Sequence, residues 1–338
     1  MPRSAVNARR REAKGLQRLR LVTQAGFFVL FVLAPLGDVF RLDLNLRHFI
    51  FLGHDWTLGV DDFVSGKIGI GGVTLNLLLR GFLPIAGVIG AGVWVSWKYG
   101  RLYCGWLCPH FSLVETINGL LRRACAKQSL WDKHPLPESN ADGSFTRANA
   151  WYWPVVVALC ALFACVWAVV LLTYLLPPAE IYGNLWHGTL TRNQTVFLAA
   201  AATAFFVEFL FARHLFCRYG CAIGLFQSLA WMANDKALVV GFDRRRAKAC
   251  TGCHACDDVC PMRLKPRAIK RQMFACTQCN RCTEACDAVR AGDETGALLR
   301  WTQGKDAREK SASFPGRRRE GATAENHRHG AFYPRVPG

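Results

Sequence analysis

The sequence predicts an α-helical membrane bundle followed by a small cysteine-rich domain. Three observations predict this fold class: four long apolar stretches, basic residues that gather beside those stretches, and eight cysteines in two regular runs near the C-terminus. The chain has 338 residues, of which 51% are hydrophobic and 20% are charged. This length accommodates a helical bundle and one small additional domain.

Four stretches are long and apolar enough to cross a bilayer. A helix needs about 20 mostly apolar residues to cross ~30 Å of hydrocarbon. The stretches that meet this requirement are 21–37, 74–97, 154–176 and 194–212. Residues 48–60 are apolar but too short and too interrupted to span, so we expect an interfacial or re-entrant segment there. The sequence therefore predicts about four transmembrane helices.

Basic residues alternate between the segments that connect these stretches. Segments 1–20, 98–153 and 213–250 each hold seven Lys and Arg, whereas segment 38–73 holds three against five acidic residues. Lys and Arg accumulate in the cytoplasmic loops of membrane proteins. The pattern predicts a multi-pass protein of the bacterial inner (cytoplasmic) membrane with both termini in the cytoplasm.

The overall charge is strongly basic, with 42 Lys and Arg against 24 Asp and Glu and a formal net charge of +18. Such an excess often indicates binding to nucleic acid. In this chain the excess follows the inner flanks of the apolar stretches. We therefore expect contact with membrane lipid and no nucleic-acid partner.

Eight of the fifteen cysteines form two runs with the spacing of bacterial ferredoxins. The first run is Cys250, Cys253, Cys256 and Cys260, followed by a proline, and the second is Cys276, Cys279, Cys282 and Cys286. Such runs hold iron–sulfur cubanes, and in two-cluster ferredoxins the fourth cysteine of each run ligates the other cluster. The spacing thus predicts two 4Fe-4S clusters, one on Cys250, Cys253, Cys256 and Cys286 and one on Cys276, Cys279, Cys282 and Cys260.

Zinc is the alternative metal, because Cys-x-x-Cys pairs also bind zinc in tetrahedral sites. The same four-cysteine spacing occurs twice, and a proline follows Cys260; both features favour iron–sulfur clusters. The second run ends in Cys286-Asp287 and lacks the corresponding proline, although its four thiols are intact. The fold class is therefore a membrane bundle of about four helices plus a small bacterial-type two-cluster ferredoxin domain.

Four further cysteines form two Cys-x-x-x-Cys pairs in a weak internal repeat. Cys104 and Cys108 follow the second apolar stretch, and Cys217 and Cys221 follow the fourth. Within a helix this spacing places both sulfurs on one face. Soft thiolates suit Cu(I), a further iron–sulfur centre or reversible disulfide chemistry, and we treat the four as candidate redox or copper-binding residues. The alternative is that they are small packing residues at helix ends.

These motifs divide the chain into four predicted parts. Residues 1–20 form a basic cytoplasmic segment, 21–240 form the transmembrane domain with both Cys-x-x-x-Cys pairs, and 241–302 form the ferredoxin domain. Residues 303–338 are polar and lack apolar periodicity, which predicts a disordered tail.

The order of the motifs resembles a known group of proteins. The residues that carry the resemblance are Cys104-Gly105-Trp106-Leu107-Cys108-Pro109, Cys217-Arg218-Tyr219-Gly220-Cys221, Phe226-Gln227-Ser228, both ferredoxin runs and Leu298-Leu299-Arg300-Trp301. Together with the segment 47–53, they resemble the FixG/RdxA/CcoG-type cytochrome oxidase accessory proteins. The chain is more distantly similar to the NapH membrane ferredoxins of periplasmic nitrate reductase systems. The resemblance covers about residues 20–302.

The resemblance implies four or more spans, two 4Fe-4S clusters and electron transfer at the membrane. For the accessory proteins it also implies reduction of Cu(II) to Cu(I) during assembly of a haem–copper oxidase, with the Cys-x-x-x-Cys pairs involved. In those proteins a further span and a periplasmic immunoglobulin-like domain follow the ferredoxin, whereas a polar tail is predicted here. The second pair also reads Cys221-Ala222 where Cys-Pro is expected.

The leading functional hypothesis is a membrane-bound iron–sulfur electron-transfer protein. It would take electrons from a soluble cytoplasmic donor and reduce copper or thiols during maturation of a respiratory haem–copper oxidase, with the oxidase or its assembly factors as partners. Cu(II) reductase is the enzymatic activity that this hypothesis implies. The alternatives are a quinol-linked relay to a periplasmic reductase and an assembly factor whose clusters are structural or sense iron and oxygen.

Overall fold

The computed structural model describes residues 3–141, 143–267, 274–291, 293 and 296–306. Of the segment predicted as a disordered tail, residues 307–338 lie outside the described residues. Helices α1 to α13 are Arg3–Leu33, Val60–Val64, Ile70–Asn76, Leu83–Tyr99, Leu102–Trp106, Pro109–Cys125, Tyr152–Thr173, Pro178–His187, Arg192–Val207, Arg213–Leu215, Ala222–Met232, Ala255–Asp258 and Arg281–Val289. Strands β1 to β5 are Phe40–Asp43, His48–Phe51, His54–Trp56, Leu238–Phe242 and Leu299–Gln303.

Four helical stretches in the described part of the chain are long and apolar enough to cross a membrane, which confirms the predicted number. They are Gly15–Leu33, Ile70–Tyr99, Tyr152–Thr173 and Arg192–Gly220. The second stretch contains a π-helical segment at Leu77–Phe82. The fourth stretch contains two π-helical segments, Glu208–Ala212 and Phe216–Gly220. The fourth stretch therefore reaches Gly220, whereas the sequence placed its end at residue 212.

The chain divides into two compact units that differ from the four predicted parts. The helical unit contains residues 26–94 and 158–210. The cysteine unit contains the described residues of 1–25, 95–157 and 211–338. Both Cys-x-x-x-Cys pairs and both ferredoxin runs belong to the cysteine unit. The predicted border between residues 240 and 241 stays a prediction.

The helical unit contains an antiparallel sheet that sequence analysis missed. Strands β1, β2 and β3 pair in order, so that residues 48–56, expected to be interfacial or re-entrant, are largely β-structure. Leu52 and Gly53 connect β2 to β3 with φ angles of 50° and 75°. A two-residue turn with both φ angles positive matches the twist of a hairpin, but Asn or Asp usually precedes the glycine. Leu52 occupies the position before Gly53, so the Asn-Gly or Asp-Gly pair that usually indicates a hairpin turn is absent here.

In the cysteine unit, strands β4 and β5 form an antiparallel pair that brackets both ferredoxin runs. Val240 lies opposite Trp301 in this pair. Val240 and Leu299 are buried together with Cys256 and Cys282, one cysteine from each run. The pair covers residues 238–242 and 299–303, so its ends lie slightly outside the predicted ferredoxin boundaries of 241 and 302.

The Cys-x-x-x-Cys pairs lie across helix breaks, so the prediction of one continuous helix face is wrong. Cys104 is in the short helix α5, whereas Cys108 is extended (φ −60°, ψ 117°) and immediately precedes α6. Pro109 begins α6, and a residue that precedes proline avoids the helical region. Cys221 has nearly the same conformation (φ −78°, ψ 109°) before α11, although Ala222 follows it.

Candidate iron–sulfur site

Both ferredoxin runs adopt the same local backbone conformation. Each has a left-handed residue directly before its second cysteine and another directly after it. These residues are Gly252, His254, Gln278 and Asn280, with φ angles of 71°, 57°, 55° and 66°. Glycine adopts this region freely, and His and Asn are enriched there among other residues. The turns lead into helices α12 and α13, which carry the third cysteine of each run.

The eight thiols of the two runs line two cavities. The first cavity is lined by Cys250, Cys253, Cys256 and Cys286, and the second cavity by Cys260, Cys276, Cys279 and Cys282. Each cavity thus combines three cysteines of one run with the fourth cysteine of the other run. Two-cluster bacterial ferredoxins distribute their ligands between two cubanes in the same way.

Several of these sulfurs accept hydrogen bonds from groups beside the cavities. The backbone N–H of Leu264 donates to Cys260 Sγ and that of Leu298 donates to Cys286 Sγ, both at 3.4 Å. These two sulfurs belong to the cysteines that cross between the runs. Arg267 Nη1 donates to Cys250 Sγ at 3.9 Å. Donors of this kind stabilise negative charge on sulfur and tune the potential of a bound cluster.

Burial keeps several of these thiols protonated in the absence of a metal. It raises the pKa of Cys260 and of Cys276 to about 12 and raises the pKa of Cys256 and Cys282 as well. Thiolate is the form that ligates metals, so metal binding at these sites must displace protons. Buried soft donors in two groups of four fit iron–sulfur clusters, which Cys thiolates hold.

The side chains around these cavities do not form a ready-made site for a single metal ion. Among the described residues, no three His, Cys, Asp or Glu side chains are placed so that they could hold one metal ion. The same is true of the Cys-x-x-x-Cys pairs. The side-chain positions therefore do not support a preformed zinc or copper site with three His, Cys, Asp or Glu ligands.

The two Cys-x-x-x-Cys pairs come together in the cysteine unit beside the second cavity. We call these four residues the span-end cysteines: Cys104, Cys108, Cys217 and Cys221. Cys108 and Cys217 pack against the same apolar cluster as Cys260 and Cys276 of the second cavity. The thiol of Cys104 donates to Gln227 Oε1 at 3.7 Å. Burial, the neighbouring Cys108 thiol and the Cys221 thiol raise the pKa of Cys104 to about 12, although Arg101 opposes the increase.

Arg101 lies in the middle of this group, which sequence analysis did not foresee. Its side chain is 1% exposed, and its Nη1 donates to the backbone carbonyl of Cys217 at 2.7 Å. Its Nε donates to Ser228 Oγ, and its guanidinium lies 5.5 Å from the centre of the Phe274 ring. Arg101 opens the first repeat segment, but His214 occupies the matching position in the second, so the repeat did not single it out.

The first pair also contacts the second ferredoxin run directly. Gly105 packs so closely on Thr277 that a Cβ atom on Gly105 would lie 2.0 Å from the Thr277 carbonyl oxygen. The indole Nε1 of Trp106 donates to the backbone carbonyl of Gln278 at 3.3 Å. Two residues between Cys104 and Cys108 thus touch two residues between Cys276 and Cys279.

A buried ion network surrounds the same contact. Arg20 of α1 is 2% exposed, forms an ion pair with Glu115 of α6 and donates from Nε to the Gly105 carbonyl at 2.7 Å. Arg281 of α13 lies 3.5 Å from the other carboxylate oxygen of Glu115. In the sequence, Arg20 is recognisable only as part of the basic N-terminal segment. Arg20 and Glu115 are 95 positions apart in sequence, so no local pattern indicated the pair.

Comparison with known protein families finds iron–sulfur binding in the repeated half of the site. A family described as "4Fe-4S binding domain" matches residues 81–127 and 194–237. The two matches contain Cys104 with Cys108 and Cys217 with Cys221, and they fall on the two segments of the predicted internal repeat. The match supports binding of an iron–sulfur cluster by this chain.

Individual relatives are distant but share much of the chain. It is 28% identical over 263 residues to the methylamine utilization ferredoxin-type protein MauN of Methylorubrum extorquens, which covers 73% of this chain and 77% of MauN. It is 23% identical over 211 residues to YccM of Escherichia coli, whose name describes an electron transport protein, with coverage of 55% and 54%. An uncharacterized protein of Methanocaldococcus jannaschii is 27% identical over 167 residues. No solved structure matches the chain.

Proposed function

We propose that this chain is a membrane-bound electron-transfer protein that carries electrons from the cytoplasm to an acceptor at the membrane. The observation that carries the proposal is the position of the span-end cysteines, which pack against the second cavity. In sequence they lie at or directly after the C-terminal ends of two candidate membrane spans, Ile70–Tyr99 and Arg192–Gly220. The names of MauN and YccM, which refer to ferredoxins and electron transport, agree with this role.

The proposed ligands are the cysteines that line the two cavities. One 4Fe-4S cluster is assigned to Cys250, Cys253, Cys256 and Cys286, and one to Cys260, Cys276, Cys279 and Cys282. The grouping of these residues around two cavities supports the assignment. Cys256 and Cys282 share one buried core, so the two cavities are adjacent and an electron has a short path between them.

The proposed acceptor is Cu(II), in agreement with the resemblance to cytochrome oxidase accessory proteins. Each transfer moves one electron to one Cu(II) ion, which leaves as Cu(I). A soluble reduced ferredoxin or flavoprotein replaces that electron on the cytoplasmic side. Both termini are assigned to the cytoplasm because the basic segments lie there under the positive-inside rule. The Cu(I) would serve the maturation of a haem–copper oxidase.

Anaerobically purified protein in detergent is expected to contain clusters that dithionite reduces and Cu(II) reoxidises, with one Cu(I) formed per electron. The Cys253→Ser variant should lose the cluster of the first cavity and most of its Cu(II) reduction with a soluble donor. Cys125→Ser is the control, because Cys125 lines neither cavity and belongs to neither pair. EPR of the reduced protein and a colorimetric Cu(I) chelator measure the two results.

Other outcomes would reject the copper proposal. Clusters that a quinone reoxidises while Cu(II) has no effect would indicate a quinol-linked relay. Clusters that no reductant reduces reversibly would indicate a structural or sensing role. Zinc in place of iron would reject electron transfer altogether.

The Arg267→Gln variant is expected to lower the reduction potential of the cluster in the first cavity. Arg267 donates to Cys250 Sγ and also pairs with Asp257, so its positive charge lies at this cavity and stabilises an added electron. Redox titration followed by EPR should show one midpoint shifted to a more negative value and the other unchanged. Arg300→Gln, which removes an exposed arginine on β5, should leave both midpoints unchanged. Equal shifts in both variants would contradict the assignment.

A further inference from the structure

The span-end cysteines surround a buried positive charge. Arg101 precedes the first pair by three residues and bonds through Nη1 to the backbone of the second pair, at Cys217. Cys104, Cys217 and Cys221, together with Cys276 of the second cavity, lie beside this guanidinium. Three of the four span-end cysteines therefore surround Arg101, although the two pairs are more than 100 residues apart in sequence.

This guanidinium has no counter-ion among the described residues. It forms no ion pair with a carboxylate there, and its Nη2 is buried without a hydrogen-bond partner. Its hydrogen-bond partners, the hydroxyl of Ser228 and the backbone carbonyl of Cys217, are neutral. Removing a cation from water costs several kcal/mol unless an anion lies beside it. Arginine remains protonated in proteins, so loss of its proton does not relieve this cost. A site of this kind needs a resident anion.

A neutral thiol carries no charge, so four thiols alone do not supply that anion. Four thiolates bound to an iron–sulfur core would carry net negative charge next to Arg101. Among the described residues, no three of these side chains are grouped so that they could hold a single metal ion. The eight cysteines of the ferredoxin runs share this property with the span-end cysteines.

The backbone around the pairs also favours an anionic centre. Cys108 and Cys221 each stand immediately before a helix, α6 of 17 residues and α11 of 11 residues. The backbone N–H groups of His110 and Phe111 donate hydrogen bonds to the Cys108 sulfur. Helix N-termini stabilise nearby negative charge. Both pairs thus present the same geometry to the space around Arg101.

We infer that Cys104, Cys108, Cys217 and Cys221 hold a third iron–sulfur cluster, with Arg101 as its buried counter-ion. The 4Fe-4S family match, which covers both pairs and neither ferredoxin run, supports the inference. The third centre would lie beside the second cavity, on residues at the C-terminal ends of two candidate spans, and would extend the proposed electron path. The inference rests on the proposed function only in its assignment of the other eight cysteines to two separate clusters.

The test is the iron and acid-labile sulfide content of the full-length protein, purified in detergent and reconstituted anaerobically with iron and sulfide. Compared with wild type, the Cys104→Ser/Cys217→Ser variant should lose about one third of its iron, because one of three cubanes is removed. Mössbauer spectra should show the remaining two thirds as intact 4Fe-4S clusters, which also shows that the variant is folded. Cys125→Ser should keep the wild-type content.

Arg101 variants test the counter-ion separately. Arg101→Gln should lose the third cluster or shift its midpoint to a more negative potential, while Arg101→Lys, which keeps the charge, should retain more of it. The cluster of the first cavity, whose cysteines do not adjoin Arg101, should be unaffected in both variants. This selective response distinguishes a counter-ion from a residue that only supports the fold.

Two results would overturn the inference. One is equal iron content in wild type and the Cys104→Ser/Cys217→Ser variant. The other is stoichiometric Cu(I) bound at the span-end cysteines of reconstituted protein in place of iron. In either case the proposed function would still hold if the two remaining clusters reduced Cu(II). Loss of reversible reduction with three clusters present would instead remove the proposed function and leave the third site intact.

Discussion

The Gly105→Ala variant is expected to lose a large part of its stability and the iron bound in the second cavity. An alanine Cβ would lie 2.0 Å from the carbonyl oxygen of Thr277, a backbone atom that no side-chain rotation can move away. Overpacking of a well-packed site typically costs about 1–3 kcal/mol, and a backbone clash of this depth belongs at the upper end. Thr277 directly follows Cys276, so the displacement acts on a thiol of the second cavity.

Thermal unfolding in detergent, followed by cluster absorbance, together with iron content measures this effect. Gly119→Ala is the matched control, because a Cβ on Gly119 of α6 meets nothing within 4 Å. Alanine in place of glycine within a helix should stabilise it by up to about 1 kcal/mol. Equal behaviour of the two variants would show that the Gly105–Thr277 contact is absent from the protein in solution.

The Glu115→Leu variant is expected to be destabilised by about 3–5 kcal/mol, the usual cost of breaking a buried ion pair by removing one partner. Arg20 is 2% exposed, so the substitution leaves a cation buried without its carboxylate. The same substitution removes the ion pair of Arg281, which directly precedes Cys282. We expect the melting temperature to fall and iron to be lost from the second cavity before the first.

The matched control removes an exposed ion pair. Glu138→Leu breaks the pair with Arg147, in which both side chains are largely exposed, and such pairs contribute about 0–1 kcal/mol. The double variant Arg20→Met/Glu115→Leu should recover part of the lost stability, because a buried pair can be replaced by apolar residues at little cost. Failure of the double variant to recover any stability would indicate that Glu115 acts through packing instead of charge.

Regular spacing made the larger features of this chain predictable from its sequence. Four apolar stretches predicted four candidate spans, and the count is correct. The rhythm of the ferredoxin runs predicted which cysteines share a centre, and the same groups line the two cavities. The ligand roles of these residues stay a prediction.

Features that depend on tertiary contacts were not predictable. The hairpin turn at Leu52 lacks the residue types that usually mark such turns, so the three-stranded sheet was missed. No proline follows Cys221, so the helix break at this residue could not be predicted from the sequence. Arg101 resembled any other basic residue beside a span, and its importance depends on Cys217, which is brought near it by folding.

The exchange of the fourth cysteine between the two runs also sets the order in which the two cavities acquire their cysteines during translation. Translation releases Cys282 before Cys286, so the second cavity receives its last thiol earlier than the first, although three of the first cavity's thiols are made sooner. Both events come after residue 220, where the last candidate span ends. All four candidate spans in the described part of the chain are therefore synthesised before either cavity has all its cysteines.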